Sequence, residues 1–141
     1  MSGSQSGIVC LLFLLICLTV HGCGGGANDA PTVAAVTGTI QFNGKPLEEG
    51  TIVFHPTSGR SASGTIKQGK IVEVTTTTKG DGAPVGDAKV TIFSTKPDPK
   101  DPSGMGTISL IPQKYNDVKK SGLNALIKGD EENTVSFDLK K

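Results

Sequence analysis

Apolar and polar residues alternate in short runs along most of this chain, and glycines, prolines or an Asn-Gly pair close the runs. Val36, Ile40 and Phe42 fall on one side while Thr37, Thr39 and Gln41 fall on the other, the period-two signature of a half-buried strand. Asn43-Gly44-Lys45-Pro46 follows as a turn. Gly50–Pro56 predicts a second strand, stopped by its proline. Gly64–Lys67 and Lys70–Val74 flank Gln68-Gly69 and predict a hairpin. Thr75–Thr78 predicts a solvent-facing strand or loop, and Ala88–Phe93 a further strand. Lys96–Gly104 holds three prolines, which remove too many donors for a strand, so an exposed loop is expected there. Ile111–Tyr115 and Ser121-Gly122 predict a crossing loop, with a short helical turn around Asn116–Lys120. Near the end of the chain, Leu123, Ala125 and Ile127 alternate with Asn124, Leu126 and Lys128. Val135, Phe137 and Leu139 likewise alternate with Thr134, Ser136 and Asp138. Gly129–Asn133 is expected to join this last pair as a polar hairpin loop. About seven short strands with regular turn signals predict an all-β fold, an antiparallel β-sandwich.

The N-terminal pattern is different. Ile8–Leu18 is eleven apolar residues without a break. A bilayer span needs about 20, so the run has the length of a secretory signal core, with a buried core helix as the other reading. Small residues and Cys23 follow it, then Gly24-Gly25-Gly26. Val20-His21-Gly22-Cys23 resembles a bacterial lipobox, with an aliphatic residue at −3, a small one at −1 and then the cysteine; His21 stands where a small or aliphatic residue is usual. The resemblance implies that Cys23 carries a diacylglyceryl group and becomes the first residue of the mature chain. Ordinary signal cleavage, leaving a free thiol, is the rival. Two or three acyl chains, at about 0.8 kcal/mol per buried CH₂, make a lasting membrane anchor. The expected division is 1–22 signal peptide of lipoprotein type, 23–35 glycine-rich tether and 36–141 β-sandwich domain.

Composition narrows the partners. The chain carries 14 basic and 13 acidic residues, no Trp and one Tyr. A near-neutral chain without aromatic-basic interleaving is not built to capture nucleic acid. Of its three cysteines, Cys10 and Cys17 lie in the segment that would be removed, so a lipidated Cys23 leaves no disulfide in the mature chain.

Val36–Pro56, VTGTIQFNGKPLEEGTIVFHP, resembles the opening of carboxypeptidase-regulatory-like domains, which share the transthyretin (prealbumin) sandwich. Gly82–Ile92, GAPVGDAKVTI, is similar to a later strand of that family, with Ala88 where an aromatic usually stands. Ile111–Ile127 looks like the tail of small bacterial envelope lipoproteins that carry the domain. The resemblance implies a transthyretin-like Greek-key sandwich, anchored by palmitate-type lipid on the extracytoplasmic side of a membrane. The outer membrane is slightly favoured, because Gly24 is not the Asp associated with inner-membrane retention.

Candidate chemistry is sparse. Transthyretin-like hydrolases of the hydroxyisourate class need paired histidines, an arginine and a Tyr-Arg-Gly-Ser terminus. This chain would keep His55 alone once His21 is removed, with Arg60 its one arginine, and it ends Phe137-Asp138-Leu139-Lys140-Lys141. His55 is expected at an exposed loop edge. No G-x-S-x-G elbow is present. Asp98 with Asp101, or Asp130 with Glu131 and Glu132, offer oxygen ligands for Ca²⁺ without the spacing of a specific site, and solvated acidic loops are the commoner outcome. No catalytic, cofactor-binding or metal-ligating residue is therefore expected, and Cys23 is the one site residue. The reading is a non-catalytic, lipid-anchored envelope module whose partners are the membrane and an envelope protein or glycan. The alternative is a subunit of a larger surface or secretion assembly that uses an edge strand as its contact, with a hydrolase third.

Overall fold

The computed structural model describes residues 31–141. Cys23, the signal segment and most of the expected tether lie outside the described residues. The strands are β1 (Val33–Ala34), β2 (Val36–Phe42), β3 (Lys45–Pro46), β4 (Glu49–Pro56), β5 (Ala62–Lys67) and β6 (Lys70–Thr75). They continue as β7 (Ala83–Pro84), β8 (Gly86–Phe93), β9 (Thr95–Pro97), β10 (Thr107–Ser109), β11 (Leu123–Ile127) and β12 (Asn133–Leu139). A single 3-10 turn, Gln113–Asn116, interrupts them.

One continuous sheet dominates, in the order β11-β8-β4-β5-β6-β2-β12, with β3 folded back on β2. It is mostly antiparallel and curls into a half-barrel, so that its two halves face each other across one core. Phe54, Ile40, Ile52, Ile66, Ile92 and Leu139 fill that core and are at most 1% exposed. Each comes from the apolar side of an alternating strand, so period-two patterning and core membership coincide. Two tight turns set the neighbouring registers. Asn43 and Gly44 both have positive φ (52° and 78°), as do Gln68 and Gly69 (49° and 74°). That is the conformation whose twist matches a two-residue hairpin. A register shift lies between Ser63 and Thr65 where β5 meets β6, and such irregularities bend a sheet.

Four features depart from the sequence pattern. First, β11 and β12 do not form a hairpin. β11 pairs with β8 and β12 with β2, at opposite edges of the sheet. Residues 128–132 therefore cross between the two edges, a path that the curl keeps short. Second, β12 runs parallel to β2, from Asn133↔Val36 to Leu139↔Phe42, so the sheet is not purely antiparallel. Alternation assigns each side chain a face but carries no information on strand direction. Third, Thr95–Pro97 inside the expected proline loop pairs with Thr107–Ser109. This ribbon is short and exposed, and Pro97 sits at its end opposite Thr107, where a missing donor is tolerated. The helical turn likewise forms at Gln113–Asn116, directly after Pro112, rather than around Asn116–Lys120. Fourth, ordered pairing begins inside the segment expected as tether. Val33 and Ala34 pair with Pro84 and Ala83, and Ala34 is 8% exposed.

Candidate functional site

Antiparallel pairing sorts the turns to two ends of the half-barrel. The described chain begins at one end, where Val33–Val36, the tip of β4 at Pro56, Ala83–Gly86, Ile127 and Asn133 meet. At the opposite end lie the Asn43-Gly44 and Gln68-Gly69 turns, Glu49, Phe93 and Leu139. Both signs of charge occur at each end. Lys45, Lys67, Lys70, Lys96, Lys100, Lys140 and Lys141 lie at the far end with Glu48, Glu49, Asp98, Asp101 and Asp138. Arg60, Lys79, Lys89 and Lys128 lie at the entering end with Asp81, Asp87, Asp130, Glu131 and Glu132.

A hollow of about 700 Å³ opens at the far end. Its walls are the β2–β3 turn, the start of β4, the β5–β6 turn and the β9 ribbon, and its apolar lining comes from Phe42, Pro46, Leu47, Pro97 and Leu110. Backbone hydrogen bonds knit the walls together. The Gln68 N–H donates to Glu48 O (2.7 Å), Gly69 N–H to Leu47 O (2.8 Å) and Leu47 N–H to Ile40 O (3.0 Å). The buried Ser94 hydroxyl donates to Glu49 O (2.6 Å), and Leu110 N–H donates to Ser94 O (2.8 Å). Lys45, Lys67 and Lys96 line the hollow and are exposed. Among the described residues the ion pairs are Lys79–Glu73, Lys120–Asp117, Lys128–Glu131 and Lys140–Asp138, so none of the three lining lysines is neutralised by one.

A second hollow, of about 490 Å³, lies along β4, β8 and β11, with His55, Asp87, Lys89, Asn124 and Leu126 among its lining. His55 is not the exposed loop-edge residue that the sequence predicts. It belongs to β4, is half-buried, and shares hydrogen bonds with Thr91 Oγ1 through Nε2 (2.9 Å) and with Ser61 Oγ through Nδ1 (3.2 Å). Thr91 is 1% exposed, and a hydroxyl buried so deeply requires a partner, which the imidazole supplies. Both ring nitrogens are held by hydroxyls; among the described residues no carboxylate bonds the ring to orient it as a base.

The acidic groups serve the backbone. Asp81 accepts N–H bonds from Thr76 (2.6 Å), Thr77 (2.9 Å) and Thr78 (2.8 Å), which hold its carboxyl below its ordinary value of 3.8. Thr75 closes β6, and Thr76–Thr78 is thereby a wrapped loop. Asp101 is lowered in the same way by the Ser103 side chain and backbone and by Gly106 N–H. Asp138 is lowered by Lys140 and by Gly44 N–H. Asp98 stays in its own turn, accepting from Lys100 N–H (2.9 Å). Among the described residues, no three His, Cys, Asp or Glu side chains gather closely enough to hold a metal ion, and no helix is long and apolar enough to cross a membrane.

The lysines of the far end were not legible as a group. Lys45 follows one tight turn and Lys67 precedes another, yet only the strand order shows that these turns share an end with the β9 ribbon. Comparison with protein-family models, with curated proteins and with solved structures gave no match.

Proposed function

We propose that this chain is a non-catalytic binding module of a bacterial cell envelope, held by lipid on Cys23 at the extracytoplasmic face of a membrane, with the outer membrane favoured. The fold we propose is the transthyretin-like Greek-key sandwich of carboxypeptidase-regulatory-like domains. The all-β half-barrel supports the fold, and Val20-His21-Gly22-Cys23 supports the anchor. One observation carries the function. The described chain begins with β1, beside the end where β2 enters the sheet at Val36, while the knitted, lysine-lined hollow opens at the other end. A domain tethered at the first end presents the second away from the bilayer. Fully extended, the stretch from Cys23 to Val33 reaches roughly 35 Å, enough to lift the domain clear of lipid headgroups.

The test is fractionation of cells expressing Cys23→Ala. The expected result is transfer of the protein from the membrane to the soluble periplasmic fraction; continued membrane association overturns the anchor. A second reading, a subunit docked through a sheet edge, draws on β11. Leu123–Ile127 has no charge or proline, among the described residues no strand pairs with its outer side, and Leu126 is 59% exposed. Such an edge is a template for an extended segment of another envelope protein. Co-purification of a stoichiometric partner that Leu126→Lys abolishes is the result that favours it.

A further inference from the structure

The far-end hollow combines three kinds of lining that suit one class of ligand. Lys45, Lys67 and Lys96 present ammonium groups that pair with no carboxylate among the described residues. Phe42, Pro46, Leu47, Pro97 and Leu110 offer apolar surface among them. Glu48 and Glu49 add two carboxylates to the same lining. We propose that this hollow binds a carboxylated polysaccharide, an acidic glycan with charge spaced along a chain of sugar rings. The proposal rests on the reading of the chain as an envelope binding module and names the ligand class of that site.

The argument is one of matching. Lysine ammonium groups pair with carboxylates as charge-assisted hydrogen bonds. The C–H faces of pyranose rings lie against apolar side chains, as ligands generally do in pockets lined by apolar surface with a few placed polar groups. Glu48 and Glu49 accept hydrogen bonds from ring hydroxyls, an acceptor role that a neutral donor can fill. The same two carboxylates repel a densely charged polymer such as polyphosphate, so the mixed lining selects sparse charge. The volume, about 700 Å³, lies within the range of ordinary ligand sites, roughly 300–1,000 Å³. Because backbone hydrogen bonds tie every wall to its neighbour, the hollow is formed in advance, which reduces the ordering cost of binding.

Within the lining itself three lysines face two carboxylates, Glu48 and Glu49, which leaves the hollow a small positive excess for an anionic ligand.

The experiment is surface-plasmon binding of the purified full chain, in neutral detergent, to immobilised alginate, dextran and poly-L-glutamate. Alginate is expected to bind, weakening as salt rises from about 0.05 to 0.5 M, with dextran giving no comparable signal. The triple variant Lys45→Gln, Lys67→Gln, Lys96→Gln is expected to weaken alginate binding about tenfold or more. Lys79→Gln, Lys89→Gln, Lys128→Gln, which removes the same charge elsewhere, is expected to stay within about twofold. Lysine-to-arginine replacement at the three far-end positions keeps the charge and is expected to retain binding, which separates loss of the site from loss of the fold. Equal loss in both glutamine triples overturns the proposal, as does absent alginate binding. Poly-L-glutamate binding as tight as alginate overturns it in favour of an acidic peptide. Fractionation of Cys23→Ala reads the anchor and this titration reads the site, so the two fail separately.

Discussion

Phe54 shows how a single side chain supports the sheet. It is fully buried, comes from the inward face of β4, and stands between β5 and β8, where it is opposite Ala62 and Val90. Phe54→Ala leaves a cavity that the paired strands are held too tightly to close, and is expected to cost about 3–5 kcal/mol in a denaturant melt. Asp81 acts through protonation instead. Its carboxylate receives the N–H groups of Thr76, Thr78 and Thr77, so the charged form is favoured in the folded state and its pKa is depressed. The stability this contributes is present in full above the unfolded value of 3.8 and is lost as pH falls through the lower folded value. Thermal melts are expected to fall across that acidic window, with the Asp81→Asn variant showing a flatter dependence; an unchanged slope in the variant would count against the role. The threonine run predicted a solvent-facing strand or loop, and Thr76–Thr78 is the loop. The carboxylate at its centre was not legible, because a run of threonines does not say which side chain their N–H groups converge on.

At the scale of elements, periodicity located the long strands and their inward faces. Val36, Ile40 and Phe42, and later Leu123, Ala125 and Ile127, face as alternation requires, with Leu126 exposed. Partners were not encoded in the same way. β11 and β12 are near in sequence and well patterned, and yet lie at opposite edges. Asn133 explains how the connection holds: its Nδ2 donates to Ala35 O (3.2 Å), Lys128 O (2.9 Å) and Glu131 O (3.1 Å), while its Oδ1 accepts from Lys128 N–H (2.8 Å). One amide therefore ties the crossing loop to the start of β2. Asn133 is 7% exposed, and Asn133→Ala removes all four of these hydrogen bonds, an expected cost of about 1–3 kcal/mol in a chemical melt. The expected hairpin loop fails here for a physical reason. Asn133 reads as a turn residue in sequence, and its role as a clasp depends on three carbonyls, one of which lies 98 positions away.

On the scale of the whole molecule, the β2–β12 seam joins the two ends of the described chain and forms one edge of the sheet. Thr37 meets Thr134, and Thr39 shares a hydrogen bond with Ser136 (3.1 Å), across separations of 97 positions. Gly38 sits in the middle of this seam, where an added Cβ would strike the carbonyl oxygen of Val135. Gly38→Ala is expected to push the strands apart and destabilise the fold by roughly 1–3 kcal/mol, with hydrogen exchange accelerated along β12 first. The gathering of three lysines around the hollow belongs to this scale as well, since it arises from strand order and has no local signature.

The same seam governs timing. A ribosome that has released β2 must still synthesise residues 43–132 before it reaches the strand that covers it. Until then one flank of β2 stays open, and such distant pairing is slow to form. A domain assembled in this way stays unfinished until β12 has been made, and β12 is the strand that completes this side of the fold.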